Sequence, residues 1–415
     1  MAKESPFIAL WPDDAGVHPS GHIHGTSSRL LEGKTIVLGV TGSIAAVRSV
    51  ELARDLLRHG ARVVPVMTRE AQRIIHPNAL EFATGMKPIT ELTGAVEHVQ
   101  MMGSGEGHAH LLLVAPCTAN TLSKMALGID DSPVTTFFST GALKIPVLVA
   151  PAMHETMNEH PFLRENAEKL RKAGVHFVEP LKEEGKAKLA ENDTIIEHAL
   201  RLLGTQALRG KRVLVINGAT WEPIDDMRVV GNRSSGRMGM ALAREAWRAG
   251  ADVEMWYAHG EATPLALVPT RRFGTVDELV RMVPDAKHFD VVLVPAALSD
   301  YAPKPAKGKL PSENGDMTLH LHAVPKALDE LRKHVNGTII PFKAESGVSE
   351  AKLVERARAS LHKRDAPFVI ANMLEEVSTD HARVLFVDAK RAAPVEGTKD
   401  EVARAIIARL ARDAK

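Results

Sequence analysis

Residues 211–239 read KRVLVINGATWEPIDDMRVVGNRSSGRMG, and the prediction of the fold starts from this stretch. The segment 211–217 contains the apolar, mostly β-branched run VLVI, which predicts a buried strand. The small residues Gly-Ala-Thr at 218–220 predict a turn in which backbone amides can approach a ligand. A helix-forming segment, ALAREAWRAG, follows at 241–250. Strand, turn and helix in this order predict the opening of an α/β domain.

The start of that helix favours an anion site. Small and hydroxyl residues between Asn232 and Gly239 leave the first N–H groups of the helix free to point at a ligand such as a phosphate. Arg233 and Arg237 flank the predicted helix cap and are natural phosphate partners. The alternative is an ordinary connection in which a serine caps the helix.

The composition is that of a soluble globular protein with two or three domains. The chain has 415 residues, of which 45% are hydrophobic and 25% charged. A net charge of +1 gives no case for nucleic acid, and no apolar segment is long enough to span a membrane. The single cysteine, Cys117, and the lack of a signal-peptide pattern lead us to expect a cytoplasmic protein. Two dense histidine sets, at 18–24 and 108–110, are interpreted as solvated loop residues rather than metal ligands.

A second strand–turn–helix opening lies near the N-terminus, where TIVLGVT at 35–41 predicts a strand and 46–58 an amphipathic helix. Further strands are predicted at 61–67, 110–116, 145–150, 175–178, 251–257, 291–295, 338–342, 368–371 and 383–387. Because helical patterns alternate with these strands, we expect mainly parallel sheets covered on both faces. Ligands then bind at the carboxyl ends of the strands.

The chain is predicted to have three parts. Residues 1–33 show no periodicity and predict an irregular arm, while 34–204 and 205–415 predict two doubly wound, Rossmann-like α/β domains. The long segment 296–315 follows a predicted strand. A loop of that length inside a compact domain is typically functional or mobile.

The predicted loops carry two ordered sets of motifs. The first half contains VTGSIAA (40–46), VEHVQM (96–101), APCTAN (115–120) and PAMHETM (151–157). The second half contains GATWEP (218–223), GNRSSGRMG (231–239), AALSDY (296–301), GKLPS (308–312), FKAE (342–345) and AN (371–372). In this order the motifs resemble the bifunctional flavoprotein family of coenzyme A biosynthesis, in which phosphopantothenoylcysteine decarboxylase is joined to phosphopantothenate-cysteine ligase. The resemblance implies a flavodoxin-like flavin domain followed by a nucleotide-binding ligase domain.

For the first half the resemblance implies FMN-dependent decarboxylation of phosphopantothenoylcysteine to 4'-phosphopantetheine. Oxidation of the cysteine thiol by the flavin gives a thioaldehyde that can accept the electrons released with CO2. His98 matches the catalytic histidine of the family, although a surface helix residue is the alternative. Met153 and His154 match the substrate clamp, with His154 where many relatives have Asn. The implied FMN contacts are Gly42, Ser43, Ile44, Thr68, Ala115, Thr118 and Asn120.

One departure concerns the flap of the decarboxylase. Bacterial relatives carry a catalytic Cys there, and the corresponding stretch, EEGKAKLA at 183–190, has none. Our hypothesis is that Lys186 or Lys188 supplies the proton or holds the closed flap. Cys117 is predicted to be a buried structural thiol.

For the second half the resemblance implies ligation of 4'-phosphopantothenate with cysteine through an acyl-nucleotidylate made with CTP, or with ATP as in some members. Asn232 is implied to contact the acyl carbonyl, Lys309 to neutralise charge during activation, and Asp300 to contact the nucleotide or Mg²⁺. The implied nucleotide-binding residues are Gly218, Ala219, Ser234, Ser235, Gly236, Asp300, Lys309 and Phe342. Lys304 and Lys307 are interpreted as solvated.

Two other functions remain open from the sequence. A flavin-dependent oxidative decarboxylase of C-terminal cysteine peptides works without a flap Cys but leaves Asn232, Asp300 and Lys309 unexplained. A regulatory flavoprotein that binds a partner protein fits the missing Cys but not His98. The resemblance further implies small-molecule substrates and a homo-oligomer with trimeric flavin domains and dimeric ligase domains.

Overall fold

The computed structural model describes residues 18–103, 108–142, 144–183, 186–311 and 316–413. The chain divides into two compact units, the first ending at Gly204 and the second beginning at Thr205. Within the described ranges, every helix is too short or too polar to cross a membrane.

The described part of the first unit alternates short strands with helices. Its strands are β1 (Thr35–Val40), β2 (Arg62–Met67), β3 (Leu111–Cys117), β4 (Val147–Pro151), β5 (Met153–His154), β6 (His176–Phe177), β7 (Leu181–Glu183) and β8 (Lys186–Lys188). Its α-helices are α1 (Pro19–Ile23), α2 (Ser49–Arg58), α3 (Pro77–Thr84), α4 (Glu97–Met102), α5 (Ala119–Leu127), α6 (Pro133–Gly141), α7 (Glu155–Asn158), α8 (Pro161–Lys172) and α9 (Asn192–Leu203).

The main sheet of the first unit has the order β2-β1-β3-β4-β6, and its strand pairs are parallel. This is the flavodoxin-like order, in which the direction of winding reverses between β1 and β3. All residues of β1 are buried. Side chains alternate between the two faces: Ile36 and Leu38 join one core cluster and Val37 another. Helices on both faces therefore explain why the strands read as continuous apolar runs.

The first unit differs from the prediction in three segments. The predicted helix 46–58 begins as a 3-10 turn, Ile44–Arg48, and becomes α-helical at Ser49. Two strands that were not predicted, β7 and β8, pair with each other antiparallel, and β8 also pairs with β5. The arm predicted to be irregular contains α1, which begins at Pro19. The fixed φ of proline suits the first turn of a helix. Residues 1–17 of that arm lie outside the described residues.

The described part of the second unit contains a larger sheet. Its strands are β9 (Arg212–Asn217), β10 (Trp221–Pro223), β11 (Val229–Gly231), β12 (Asp252–Tyr257), β13 (Thr270–Arg272), β14 (Val291–Val294), β15 (Tyr301–Pro303), β16 (Leu321–Ala323), β17 (Thr338–Glu345), β18 (Val369–Met373), β19 (His381–Val387) and β20 (Ala392–Thr398). Its α-helices are α10 (Arg237–Arg248), α11 (Val276–Met282), α12 (Ala327–His334), α13 (Glu350–Arg364) and α14 (Lys399–Asp413).

The sheet of the second unit has the order β13-β12-β9-β14-β17-β18-β19-β20. The pairs from β13 to β18 are parallel, and β19 and β20 extend the sheet antiparallel. The order around β9 is that of a Rossmann-like domain, whose switch point lies between β9 and β14. Both units are therefore doubly wound, and the predicted α/β class is confirmed. Two antiparallel ribbons, β10 with β11 and β15 with β16, stand apart from this sheet.

The turn after β1 is closely covered by a neighbouring residue. A Cβ atom added at Gly42 would lie 2.4 Å from Cβ of Glu70 and 3.2 Å from its carbonyl carbon. The Cβ atom is fixed by the backbone of Glu70 and the carbonyl carbon is part of it. Neither atom can move aside as the end of a flexible side chain could. Glycine is therefore needed at position 42 for steric reasons, whatever ligand the turn holds.

We expect Gly42→Ala to lower the free energy of unfolding of the first unit by about 1–3 kcal/mol, the usual cost of overpacking. The matched control is Gly94→Ala, because a Cβ at Gly94 meets no atom within 4 Å. That variant should stay within about 0.5 kcal/mol of the parent protein. Calorimetric unfolding measures both. Equal midpoints for Gly42→Ala and the parent would contradict the steric explanation.

Candidate active sites

The buried side chain of Asn217 connects the end of β9 to the start of α10. Its Nδ2 donates to the carbonyl oxygen of Gly236 at 2.8 Å, and its Oδ1 accepts from the N–H of Gly218 at 2.7 Å. The residue is 1% exposed. One amide thus fixes the first turn residue and the residue that caps α10. The sequence prediction treats Asn217 only as the last residue of a strand.

The turn 218–220 lies between the ends of β12 and β14. Gly218 has a φ of 87°, and an added Cβ would lie 2.6 Å from the carbonyl oxygen of His259. Ala219 forms bridges to His259 and to Ala297. A side chain other than hydrogen at position 218 is therefore strained and crowded. The turn is held in place by backbone contacts on both sides.

The two predicted serines lie at the start of α10. Ser234 Oγ accepts from the N–H of Gly236 at 3.3 Å, and Ser235 Oγ accepts from the N–H of Arg237 at 3.4 Å. Each contact spans two residues, and neither serine is the cap: the residue that caps α10 is Gly236, which has no side-chain cap bond. Arg237 also pairs with Asp380 at 2.8 Å. Both serines and Arg237 line the cavity described next.

A cavity of about 1060 Å³ opens at the switch point of the second unit. Of the predicted residues, the lining includes Asn232, Ser234, Ser235, Gly236, Asp300 and Phe342. It does not include Gly218, Ala219 or Lys309. Asn232 Nδ2 donates to the carbonyl oxygens of Leu298 at 3.0 Å and of Ala297 at 3.3 Å. The amide is thereby attached to the segment that follows β14.

The cavity is strongly cationic. Its lining contains eight basic side chains among the described residues, namely Arg233, Arg237, Lys326, Lys343, Arg356, Lys363, Arg364 and Lys399. Two carboxylates also line the cavity, Asp300 paired with Lys326 and Glu345 paired with Lys343 and Arg356. Asp380 and Asp329, outside the lining, pair with Arg237 and with Lys363 and Arg364, so six of the eight basic residues share four carboxylates. The whole chain carries a net charge of only +1. Positive charge is therefore concentrated where a Rossmann-like sheet binds its ligand.

Lys399, which lines the cavity, is half-buried. Lys399 donates to the carbonyl oxygen of Thr379 at 2.9 Å. Burial lowers the pKa of Lys399, and the nearby charge of Arg237 lowers this pKa further. The carboxylate of Asp380, which pairs with Arg237, acts in the opposite direction and raises the pKa of Lys399.

Lys309 lies on the exposed loop 304–311 and does not line the cavity. The residues on either side of it are held through their backbone: the carbonyl of Gly308 accepts from Asp226, and the N–H of Leu310 donates to Asp225. Asp225 has no counterpart among the site residues predicted from the sequence. A Pro-Ile-Asp-Asp turn gives no sequence signal for such a distant contact.

In the first unit, Thr41 joins the loops that follow β1 and β3. Its Oγ1 donates to the carbonyl oxygen of Pro116 at 2.8 Å and accepts from the N–H of Thr118 at 3.0 Å. Ser43 caps the 3-10 turn through the N–H of Ala45. Two of the predicted flavin contacts, Ser43 and Thr118, are thus brought to one edge of the sheet.

The other predicted flavin contacts lie near this edge. Thr68 is buried after β2, where its Oγ1 accepts from the N–H of Ala71 at 3.2 Å. Ile44 is 78% exposed, Asn120 is exposed in the first turn of α5, and Ala115 is buried within β3. Cys117 is fully buried, as predicted, and burial raises the pKa of its thiol. Such a thiol is a poor proton donor or nucleophile.

His98 lies at the start of α4 behind Val96, whose φ is 50°. Its ring contacts Phe137 edge to face, with centroids 6.5 Å apart. Its Nδ1 is buried and has no hydrogen-bond partner among the described residues. A buried ring nitrogen without a partner is uncommon and is consistent with a missing ligand. The side chain of His98 is half-buried, and its catalytic role stays a prediction.

The predicted substrate clamp and the predicted flap are neighbours. In the antiparallel pairing of β5 with β8, His154 lies opposite Lys186 and Met153 opposite Ala187. The ring of His154 is exposed and lies 3.0 Å, Nδ1 to Oγ1, from Thr156. The structure thus brings Lys186 to the clamp through backbone pairing. Lys188 ends the same strand.

The fold and the cavity define a two-unit α/β protein with a flavodoxin-like sheet in one unit and a cationic cavity at the switch point of the other. The Flavoprotein family matches residues 24–204, and the family described as DNA/pantothenate metabolism flavoprotein C-terminal domain matches residues 208–413. The coenzyme A biosynthesis bifunctional protein CoaBC of Thermococcus kodakarensis is 44% identical over 370 residues, which are 88% of this chain and 91% of that protein. The corresponding protein of Methanocaldococcus jannaschii is 35% identical over 95% of this chain and 97% of its own length.

The chain therefore belongs to the family of bifunctional coenzyme A biosynthesis flavoproteins, as the motifs predict, and is an enzyme. Among solved structures, the DNA/pantothenate metabolism flavoprotein of Streptococcus pneumoniae is 26% identical and covers 48% of this chain and 98% of its own, with a TM-score of 0.45. The FMN-dependent cysteine decarboxylase SpaF is 27% identical and covers 41% of this chain and 99% of its own, with a TM-score of 0.36.

We expect inorganic pyrophosphate to bind the cavity and to raise the unfolding midpoint of the second unit, less so as salt is added. Arg233→Gln and Lys399→Gln should each weaken binding about tenfold, since a charge-assisted contact is worth roughly 1.4 kcal/mol. Arg281→Gln is the matched control, because Arg281 pairs with Asp277 outside the cavity. Titration calorimetry measures all three. Unchanged affinity in the two cavity variants would contradict this assignment.

Proposed function

We propose that the second unit ligates 4'-phosphopantothenate with cysteine and that the first unit decarboxylates the product to 4'-phosphopantetheine with FMN. In the ligation, CTP would activate the carboxylate as an acyl-nucleotidylate and release pyrophosphate. The observation that carries the ligase proposal is the cationic cavity with Asn232 and the start of α10 in its wall. Both substrates of the activation step are anions, so their approach needs such a cavity.

In the ligase step the chain would hold charge and orient the carboxylate. Arg233, Arg237 and Lys399 would neutralise the triphosphate, while N–H groups at the start of α10 would face it. Asn232 Nδ2 carries two protons, and its longer bond, 3.3 Å to the carbonyl oxygen of Ala297, is the one more easily exchanged for the acyl oxygen. Cysteine's amine would then displace the nucleotide from the acyl carbon.

A magnesium ion fits the cavity in a limited way. Asp300 is exposed, and its carboxylate pairs with Lys326. Within the described ranges, no group of three His, Cys, Asp or Glu side chains is placed to hold a metal. Mg²⁺ usually binds through one or two carboxylates together with phosphates and water. Asp300 could therefore supply one ligand beside the triphosphate, after releasing Lys326.

The first unit fits a flavin mononucleotide at the carboxyl edge of its sheet. Ser43, Thr68 and Thr118 would contact its phosphate and ring system, in turns tied together by Thr41. FMN supplies the oxidation of the cysteine thiol that makes loss of CO2 possible. His98, with its unpartnered Nδ1, would hold or move a proton at the substrate. His154 would donate to the substrate carboxylate, next to the flap strand β8.

The ligase proposal predicts that the protein releases pyrophosphate from CTP only when 4'-phosphopantothenate and Mg²⁺ are present. Chelation of Mg²⁺ should abolish the reaction. Asn232→Asp should lower kcat about 10²–10³-fold, because it removes the amide donor and adds charge beside two carbonyl oxygens. The matched control is Asn336→Asp, an exposed residue of the same unit. The proposal is wrong if CTP and ATP both fail to support pyrophosphate release.

The decarboxylase proposal predicts that the purified protein is yellow and converts phosphopantothenoylcysteine anaerobically to saturated 4'-phosphopantetheine. If a flap lysine supplies the proton, Lys186→Ala or Lys188→Ala should release the oxidised enethiol instead. Lys172→Ala, an exposed residue at the end of α8, serves as the control. Mass spectrometry of the product distinguishes the two outcomes. Normal rates of saturated product from both flap variants would refute the role of these lysines.

Association as trimeric flavin domains and dimeric ligase domains stays a prediction from the family resemblance. A cytoplasmic location likewise stays a prediction. The two other functions considered from the sequence leave the cationic cavity of the second unit without a role.

A further inference from the structure

A short turn and a distant loop of the second unit are joined by a set of hydrogen bonds. We call residues 224–228, which connect β10 to β11, the acidic turn, and residues 304–311, which follow β15, the lysine loop. The carbonyl of Ile224 accepts from Ala306 at 2.9 Å, and the carbonyl of Gly308 accepts from Asp226 at 3.4 Å. Alternate residues of the lysine loop are thereby bound to the acidic turn.

The carboxylate of Asp225 is the centre of this contact. It accepts bonds from both segments: its Oδ1 accepts from the N–H of Met227 at 2.8 Å and of Arg228 at 2.7 Å, and its Oδ2 accepts from the N–H of Leu310 at 3.0 Å. The guanidinium of Arg228 donates to the same Oδ2 and also to the carbonyl of Leu310, at 3.2 Å. One ionised side chain thus holds two segments that are 85 residues apart.

The burial of Asp225 shows how specific this arrangement is. Its side chain is 0% exposed. Burial alone would raise the pKa of Asp225, but the N–H groups of Met227, Leu310 and Arg228 and the Arg228 guanidinium outweigh burial and lower the pKa to about 2. A buried charge is destabilising unless it is fully hydrogen-bonded. The site therefore depends on a carboxylate that stays ionised.

The acidic turn lies next in sequence to a strand that ends at the wall of the cavity. Through β11 the turn leads directly into Asn232, which lies in the wall of the cavity. The lysine loop carries Lys309 between Gly308 and Leu310, and both of these neighbours are bonded to the turn. The carboxylate of Asp225 consequently links the segments that carry Asn232 and Lys309, to both of which the family resemblance gives a role in ligation.

We propose that Asp225 is a positioning residue for the ligase reaction, which sets the place of Lys309 by anchoring the lysine loop to the segment that leads to Asn232. The inference rests on the proposed ligase function and on the charge-neutralising role that the family resemblance implies for Lys309, whose loop lies outside the lining of the cavity. Because the backbone is hydrogen-bonded on both sides of Lys309, the Cα atom of Lys309 has a defined position. Without the bond to Asp225, Lys309 keeps its charge, but the position of its backbone is no longer fixed.

The first test measures the anchor without any activity. Trypsin can cleave after Lys307 and Lys309, which are exposed, at bonds flanked by residues bound to the acidic turn. Asp225→Asn presents an amide where an acceptor is needed, and Asp225→Ser keeps an acceptor for the turn but cannot reach Leu310. Both variants should be cleaved at these two sites at least about tenfold faster than the parent, since cleavage follows local opening. The matched control, Asp226→Asn, removes a charge from an exposed neighbour and should be cleaved at the parental rate.

The second test is a double-mutant cycle on CTP-dependent pyrophosphate release. Asp225→Asn should lower kcat up to about 100-fold, the cost of a small misplacement, with little change in the KM for cysteine. If Asp225 acts through Lys309, adding Asp225→Asn to Lys309→Ala should cause no further loss. Decarboxylation of phosphopantothenoylcysteine by the first unit of each variant checks that the preparation is intact.

The outcomes separate this inference from the function on which it rests. Absence of nucleotide-dependent pyrophosphate release in the parent protein overturns the ligase function, whereas the proteolysis result still decides whether Asp225 anchors the loop. With an active parent, parental cleavage rates in both Asp225 variants overturn the anchor. Multiplicative losses in the double variant also overturn the proposal, because Asp225 then affects the reaction independently of Lys309.

Discussion

The amide of Asn217 is the interaction on which the geometry of the second unit depends. At the end of β9 the carbonyl groups of Ile216 and Asn217 accept from Ala296 and Ala258, while the N–H of Gly218 is satisfied by the side chain of Asn217. Asn217 accepts from Gly218 and donates to Gly236, so the turn after β9 and the start of α10 are fixed together. The wall of the cavity that contains Ser234 and Ser235 follows from that bond.

In the first unit a hydroxyl group holds the loops in a similar way. Thr41 donates to one residue of the loop after β3 and accepts from another, so the turns that follow the two central strands keep a fixed spacing. In both units a small buried polar side chain at the end of the first strand holds the loops at the switch point. Buried polar contacts of this kind fix one arrangement, because an unpaired group there would be costly.

The central strands were predictable because both of their faces are buried. VLVI in β9 and the run of β3 contain continuous apolar residues, and their predicted bounds agree with the structure to within one or two residues. The ribbons β10–β11 and β15–β16 were not predicted. They are three residues long with exposed members such as Trp221 and Tyr301, so they carry no apolar alternation.

The candidate sites were predictable where a residue belongs to a local motif and unpredictable where it acts over a distance. Ser234 and Ser235 follow from the pattern of a helix start, and the structure has them there. Asp225 acts through Leu310, and Asn217 through Gly236, and neither contact leaves a local trace in the sequence. Family resemblance identifies the positions that meet substrate more readily than those that hold such positions in place.

The pairing of β5 with β8 has a consequence for how the first unit responds to its substrate. Met153 and His154, the predicted clamp residues, form the whole of β5, which pairs with β8 in a three-stranded sheet separate from the main sheet of the unit. A ligand that orders Met153 and His154 would therefore favour the pairing of β5 with β8. By thermodynamic reciprocity, that pairing would then raise the affinity for the same ligand by the same factor. Ligand binding and the pairing of β5 with β8 would thus be coupled in this unit.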